Sequence, residues 1–259
     1  MRKVVLGLVS AVLVVLAVSP AFALDKAEMV ALLKELDDRQ RNSGDYNAVV
    51  FIDAKEKGKT DVSYEAVIYR RDDDDKLVIL FTQPKSEAGK GYLRIDRNLF
   101  LYDPSVGKWE RRTERERIGG TSSRRNDFDE SRLAEEFEPE YVGEETLGKF
   151  TVHHLRLTAK AGADVAYPLL ELWVDKATGN MLKAQDVALS GRLMRTSYYP
   201  KWQKMFSEDK KAEVYFPREI QIYDEVEKGN KTTIVMRAVE LKPLEDSIFT
   251  KAWLESKSR

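Results

Sequence analysis

Residues Leu99-Phe100-Leu101-Tyr102 place four apolar side chains in succession. They lie within residues 89–109, which read as two short strands with turns at Asp96-Arg97-Asn98 and Asp103-Pro104-Ser105-Val106-Gly107. A strand sends successive side chains to opposite faces, so one that packs a single face alternates apolar with polar residues. This strand does not alternate, and both of its faces must be kept from water. Residues 63–71 behave alike, with Tyr64, Ala66 and Ile68 on one parity and Val67 and Tyr69 on the other. In residues 76–82, Leu77, Ile79 and Phe81 oppose Val78 and Leu80. A sheet with two dry faces requires two covering layers, or one layer and an apolar ligand. Pattern alone leaves a closed core and an apolar cavity equally open.

The N-terminus has the three parts of a cleavable secretory signal: Arg2 and Lys3, an apolar run from Val4 to Val18, and the cleavage motif Ala21-Phe22-Ala23. The run of about 15 residues is shorter than the roughly 20 that a membrane-spanning helix needs. Cleavage is therefore expected near Ala23, separating a signal peptide over 1–23 from a single soluble, exported domain over 24–259. Removing Arg2 and Lys3 takes the formal net charge from −1 to −3. So balanced a chain lacks the concentrated basic face that nucleic acid requires. With no cysteine, disulfides, thiolate metal sites, cysteine nucleophiles and a lipid anchor on cysteine are excluded. Stability has to come from the core, which 42% apolar residues can supply.

The mature chain opens with an amphipathic helix. Asp25 caps it, Glu28 completes a capping box, and Met29, Leu32, Leu33 and Leu36 form the stripe that should cover a sheet. Gly44 is its expected stop. Strands follow over 46–52, 63–71, 76–82, 89–95 and 99–102, and the charged segment 109–118 suits an edge strand or a loop. A short helix capped by Asp127 or Asp129 should carry Leu133, Ala134 and Phe137. Strands resume over 149–160, 169–175, 181–189, 192–199, 212–223 and 232–241. A last helix over 248–255, capped by Ser247, should present Phe249, Ala252 and Trp253 to the sheet. The fold class is α+β, mainly β: one strongly curved antiparallel sheet of about ten or eleven strands.

Catalytic candidates are weak. His153 and His154 are adjacent in a strand and point to opposite faces, so they cannot share a substrate or a metal. The run Asp72-Asp73-Asp74-Asp75 lacks the alternation and the glycine of a calcium loop and reads as a solvated hairpin turn. The basic residues between Arg111 and Arg117, and Arg124-Arg125 after Ser123, read as a solvated, salt-bridged edge, with head groups or an acidic partner as the alternative. Ser122 and Ser123 sit in no nucleophile elbow, and Gly119-Gly120 lacks the flanking pattern of a phosphate loop. No cofactor and no metal is expected.

The motif G-x-G-Y-L-R-x-x-x-N-L-F-x-Y-x-P at residues 89–104 resembles the outer-membrane lipoprotein-sorting proteins related to the carrier LolA. The run W-V-D-x-x-T-G-x-x-x-K at residues 173–183 and the ending Phe249…Leu254 are similar too, with a looser counterpart of another family segment at 120–129. The resemblance implies an unclosed β-barrel with helices as a lid over a hydrophobic cavity for acyl chains. It implies a non-enzymatic periplasmic carrier that takes acylated lipoprotein or lipid from an inner-membrane transporter, an ABC system or another permease, towards the outer membrane. Contact with the membrane surface would be transient and the carrier a monomer. Envelope-stress sensors that bind a partner protein share the architecture, and an enzyme using the cavity is the third alternative. The residues expected to line the cavity are Tyr64, Ile68, Leu77, Ile79, Phe81, Tyr92, Phe100, Tyr102, Leu170, Leu172 and Val174. Register decides this assignment, because a one-residue slip exchanges the faces.

Overall fold

The computed structural model describes residues 23–40, 43–95, 98–112, 117, 118, 121 and 131–258. The leader over 1–22, Asp96-Arg97, Gly119-Gly120, Ser122, Ser123, Arg124, Arg125, Asp127 and Asp129 lie outside the described residues. Helix α1 (Lys26–Gln40) opens on the expected capping box. The Glu28 N–H donates to Asp25 Oδ1 and the Asp25 N–H to Glu28 Oε2, each at 2.8 Å. Met29, Leu33 and Leu36 are buried, and Leu32 is half-buried at the margin of the stripe.

The strands are β1 (Asp45–Lys55), β2 (Val62–Arg71), β3 (Lys76–Gln83), β4 (Gly91–Ile95), β5 (Asn98–Asp103) and β6 (Lys108–Arg112) in the first half. The second half adds β7 (Phe137–Leu147), β8 (Phe150–Ala159), β9 (Leu169–Asp175), β10 (Met181–Val187), β11 (Leu193–Ser207), β12 (Ala212–Asp224) and β13 (Lys231–Glu240). They form one curved, unclosed antiparallel sheet in the order 6-5-4-3-2-1-13-12-11-10-9-8-7. Two meanders, β1 to β6 and β7 to β13, are joined by the β1–β13 pairing.

Thirteen strands exceed the expected ten or eleven. Residues 108–112 settle as a strand, and β7 occupies a segment, with Pro139, Gly143 and repeated glutamates, for which no strand was expected. As an edge strand, β7 tolerates a proline, which cannot donate to a ladder. Its register with β8 slips between Tyr141 and Gly143.

The short helices also differ from expectation. Helix α2 (Leu133–Glu136) ends before Phe137, which belongs to β7. Its cap comes from α1: the buried Asp37 carboxylate accepts the Leu133 and Ala134 N–H groups at 2.8 and 2.9 Å and the Ser131 hydroxyl at 2.5 Å. At the C-terminus a 3-10 turn at Asp246–Phe249 precedes α3 (Lys251–Lys257). Thr250, not Ser247, caps α3 by accepting the Trp253 N–H at 3.2 Å. Leu254 and Phe249 are buried against the sheet, while Ala252 is exposed.

Directly opposed residues of an antiparallel ladder share a face. One face carries the row Ala48–Ile68–Ile79–Tyr92–Leu101, and beside it Ile234–Ile52–Tyr64 and Met236–Val50–Ala66–Phe81. The same face continues into the second half along Tyr141–Leu155–Leu172–Ala184–Ser197–Ile222–Thr232–Ala54. Helix α1 packs on this inner face, over Leu155, Leu157, Leu172, Val174 and Met181. The outer face holds Tyr69–Val78–Leu93–Phe100, packed beneath α3. Gly91 is required there, because a Cβ would lie 2.7 Å from Leu254 Cδ1. The four-residue apolar run thus divides: Leu99 and Leu101 face inward, while Phe100 and Tyr102 face the C-terminal helix side. Among the described helices α1 and α2 lie on the inner side, and α3 packs on the outer face and is no part of a lid.

Asp37→Ala removes the cap that ties α2 to α1. It should lower the unfolding free energy by about 1–2 kcal/mol, read as a lower urea midpoint at unchanged slope. An unmoved midpoint would show that α2 holds its place without this carboxylate.

Candidate functional site

The inner face of the first meander is an apolar wall. Tyr64, Ile68, Leu77, Ile79, Phe81 and Tyr92 are all buried in a single cluster with Val50, Ile52, Ile234 and Met236. Tyr64 and Phe81 meet edge to face at 5.7 Å, and Phe81 and Tyr92 at 6.2 Å. Such contacts leave ring edges and faces available to apolar neighbours along the wall. Ile118, from the segment between β6 and β7, is only 3% exposed and belongs to this cluster. Its neighbour Arg117 reaches Glu56, just past β1, at 3.5 Å and Asp224, the last residue of β12, at 3.3 Å. A residue that is not part of the sheet therefore covers its wall.

The second meander extends this face beneath α1. Leu172 and Val174 are buried there and Leu170 packs against the same cluster. Helix α1 is held at its C-terminal end by Arg39, which bonds Asn180 and Glu35 and lies 5.1 Å over the Tyr215 ring. Phe100 and Tyr102 require correction: both lie on the outer face, with the Lys251 Nζ 4.8 Å from the Phe100 ring centre and Tyr102 against Trp109 at 5.0 Å. The register of β4 with β5 pairs Tyr92 with Leu101, which puts Leu101 on the wall instead. Ile118 was not foreseen, since nothing near it in sequence is periodic. The β1 contribution, Ala48, Val50 and Ile52, was not assigned to the wall either, because Val49 and Phe51 make the other parity of that strand apolar as well.

One end of the wall is charged. The inner face carries the row Tyr46–Arg70–Leu77–Arg94–Leu99–Arg112 across six strands. Asp72 Oδ1 accepts from Arg70 Nε at 3.1 Å. Asp75 Oδ1 lies 2.7 Å from Arg70 Nη2 and 2.6 Å from Arg94 Nη1. The aspartate run is thus not uniformly solvated: Asp72 is 4% exposed, while Asp73 pairs with Lys210 at 2.8 Å and Asp74 with Lys76 at 3.0 Å. Burial, with the Asp72 charge nearby, raises the Tyr46 phenol well above its ordinary range.

The two histidines point to opposite faces, as expected. On the outer face His154 stacks on Trp173 at 4.2 Å, with its ring nitrogens 2.6 Å from Glu145 and 2.6 Å from Glu171. His153 lies 3.1 Å from the Tyr141 hydroxyl and lines a groove of about 320 Å³ with Leu24, Glu28, Leu32 and Thr178. Burial lowers its pKa. Among the described residues no group of three or more His, Cys, Asp or Glu could hold a metal ion. No described helix is long and apolar enough to cross a membrane.

A family model described as an uncharacterized protein matches residues 73–256. No curated protein matches the sequence. Among solved structures, the chain is similar to a LolA superfamily protein from Nitrosomonas europaea, with 22% identity, a TM-score of 0.68 and coverage of 86% of this chain and 97% of that one. A domain from Vibrio parahaemolyticus described as outer membrane lipoprotein-sorting has 17% identity and a TM-score of 0.74, covering 87% and 97%. A DUF1329 family protein from Desulfovibrio piger has 18% identity and a TM-score of 0.75, covering 88% and 98%. At these identities the likeness is one of fold.

The charged end of the wall has a pH signature. Burial pushes the Asp72 carboxyl from 3.8 up to about 6, against the pull of the Arg70 guanidinium. Between those values the folded protein holds a proton that the unfolded chain has released. Asp72 therefore contributes stability that is full below this window and lost as pH rises through it. Relative to wild type, Asp72→Asn should gain stability across about pH 4 to 6, by at most about 3 kcal/mol. A difference between the two that does not vary with pH, measured by urea unfolding, would contradict this.

Proposed function

This chain belongs to the family of uncharacterized, DUF1329-like proteins and has the LolA-superfamily fold, and on that premise we propose that it is a non-enzymatic periplasmic carrier of acyl chains. The observation that carries this reading is the make-up of the inner face. Its wall is built by strands, and its described cover by residues outside those strands: α1, α2 and Ile118. Such a cover can part from the wall without breaking any strand ladder. An acyl chain would then take its place. Each methylene removed from water contributes about 0.8 kcal/mol, so acylated cargo needs shelter to cross an aqueous compartment.

Exchange is the physical basis of release. Opening exposes wall and cover together, and cargo buries the wall again, so the two covered states differ little in apolar area. Moderate affinity follows, and an acceptor that holds the cargo more favourably can take it. The cargo is the acyl portion of a lipoprotein or a lipid, delivered by an inner-membrane transporter and passed towards the outer membrane. Contact with the membrane surface is transient, and the carrier acts as a monomer. The secretory leader read from residues 1–23 supports the compartment.

Neighbouring residues of one strand provide the test. Leu101→Asp puts a carboxylate on the wall, whereas Phe100→Asp puts one on the outer face. Uptake of a fluorescent acyl chain should fall at least about tenfold with the first and persist with the second, since a buried unpaired charge costs several kcal/mol. Mass spectrometry of the natively purified protein should find bound acylated lipid or protein. No uptake by wild type, or equal uptake by both variants, overturns the carrier reading.

A further inference from the structure

We infer that the cargo carries an anionic head, held by Arg70, Arg94 and Arg112 at the charged end of the wall. This rests on the carrier reading and adds the chemical class of the ligand. The three arginines occupy alternate strands β2, β4 and β6 in one row, separated by Leu77 and Leu99. They share the face of Tyr64, Phe81 and Tyr92. Buried guanidiniums cost desolvation unless they are paired, and here Asp72, Asp75 and Glu110 pair with the row, so that it already works as an anion-holding surface. A planar guanidinium matches a carboxylate or phosphate through paired hydrogen bonds.

Position within the sheet supplies the second argument. The Arg94 side chain is 1% exposed and that of Arg112 is 29% exposed, on the edge strand where the sheet stays open. The row thus leads from the open edge into the interior. Asp75 already shows what this end accepts, since one carboxylate oxygen lies within 2.7 Å of both Arg70 and Arg94. An incoming anion would compete with Asp75 for these donors and bind them in the same manner. From Arg70 to Tyr64 the wall runs six residues along β2, roughly 20 Å at the rise of a strand. One leaflet of a bilayer's hydrocarbon core is about 15 Å, so the wall is long enough for a single acyl chain with its head at the arginines. The head is then a fatty carboxylate or a lipid phosphate, which present the same chemistry to the row.

Matched ligands test this on the full mature chain. Palmitate is compared with hexadecanol, and lysophosphatidate with monoacylglycerol, each displacing an uncharged fluorescent acyl probe. Wild type should prefer the anion by at least about tenfold, equivalent to about 1.4 kcal/mol. Arg94→Gln and Arg112→Gln should lose that preference while binding hexadecanol and monoacylglycerol as before. Arg112→Gln, at the edge, keeps the test valid if Arg94→Gln fails to fold by circular dichroism. A preference confined to palmitate names a carboxylate and one confined to lysophosphatidate a phosphate; either supports the proposal. Equal binding of anion and neutral partner by wild type, or a preference that survives Arg112→Gln, overturns it and leaves the carrier reading standing. Failure of all four ligands to bind overturns both.

Discussion

Strands β6 and β7 follow one another in the chain yet lie at opposite edges of a thirteen-stranded sheet, and much of the molecule depends on that separation. The polypeptide between them has to travel from one edge to the other. Within it, Ile118 is buried on the wall, and Arg117 bonds Glu56 just past β1 and Asp224 at the end of β12. It arrives at α2, where Asp37 of α1 receives it. Ile118 thus belongs to the connection that an unclosed sheet requires between its two edges, whereas α1, which precedes β1, covers the wall independently of it.

Wall and cover are held by different forces. The wall has backbone ladders on both sides of nearly every strand, and side-chain identity affects it only locally. The cover relies on burial and on a few polar ties, chiefly Asp37, Arg39 and Arg117. Elements so attached open at a fraction of the global unfolding free energy. The charged row belongs to the wall, and Asp72 and Asp75, which pair with it, come from the turn that closes β2 onto β3.

Much of this was legible beforehand. The capping box of α1, its apolar stripe and most strand positions follow from local pattern, because each depends on residues within a turn or a few positions. Apolar residues at both parities correctly announced a sheet covered on two sides. What covered them was not legible, and Phe100 and Tyr102 went to the wrong face for that reason. A strand apolar at every position gives no parity of its own, and only its pairing with β4 fixes which side is which. Strand β7 escaped because an edge strand needs no apolar alternation and tolerates proline. The Asp37 cap joins residues nearly a hundred positions apart, and the arginine row spans five strands, β2 to β6. Neither leaves a short-range signal.

The pairing of β1 with β13 has a consequence for the order in which the molecule can be made. Each meander consists of neighbours in sequence and can begin to assemble as it leaves the ribosome or a translocation channel. The seam between them cannot form until the final strand has emerged, because β1 waits for a partner some two hundred residues away. Until then β1 presents an unpaired edge with Ala48, Val50 and Ile52 along it, a hazard for chains that meet. Long-range closure of this kind is slow. A chaperone holding the nascent chain through that interval would protect the half of the sheet that is synthesised first.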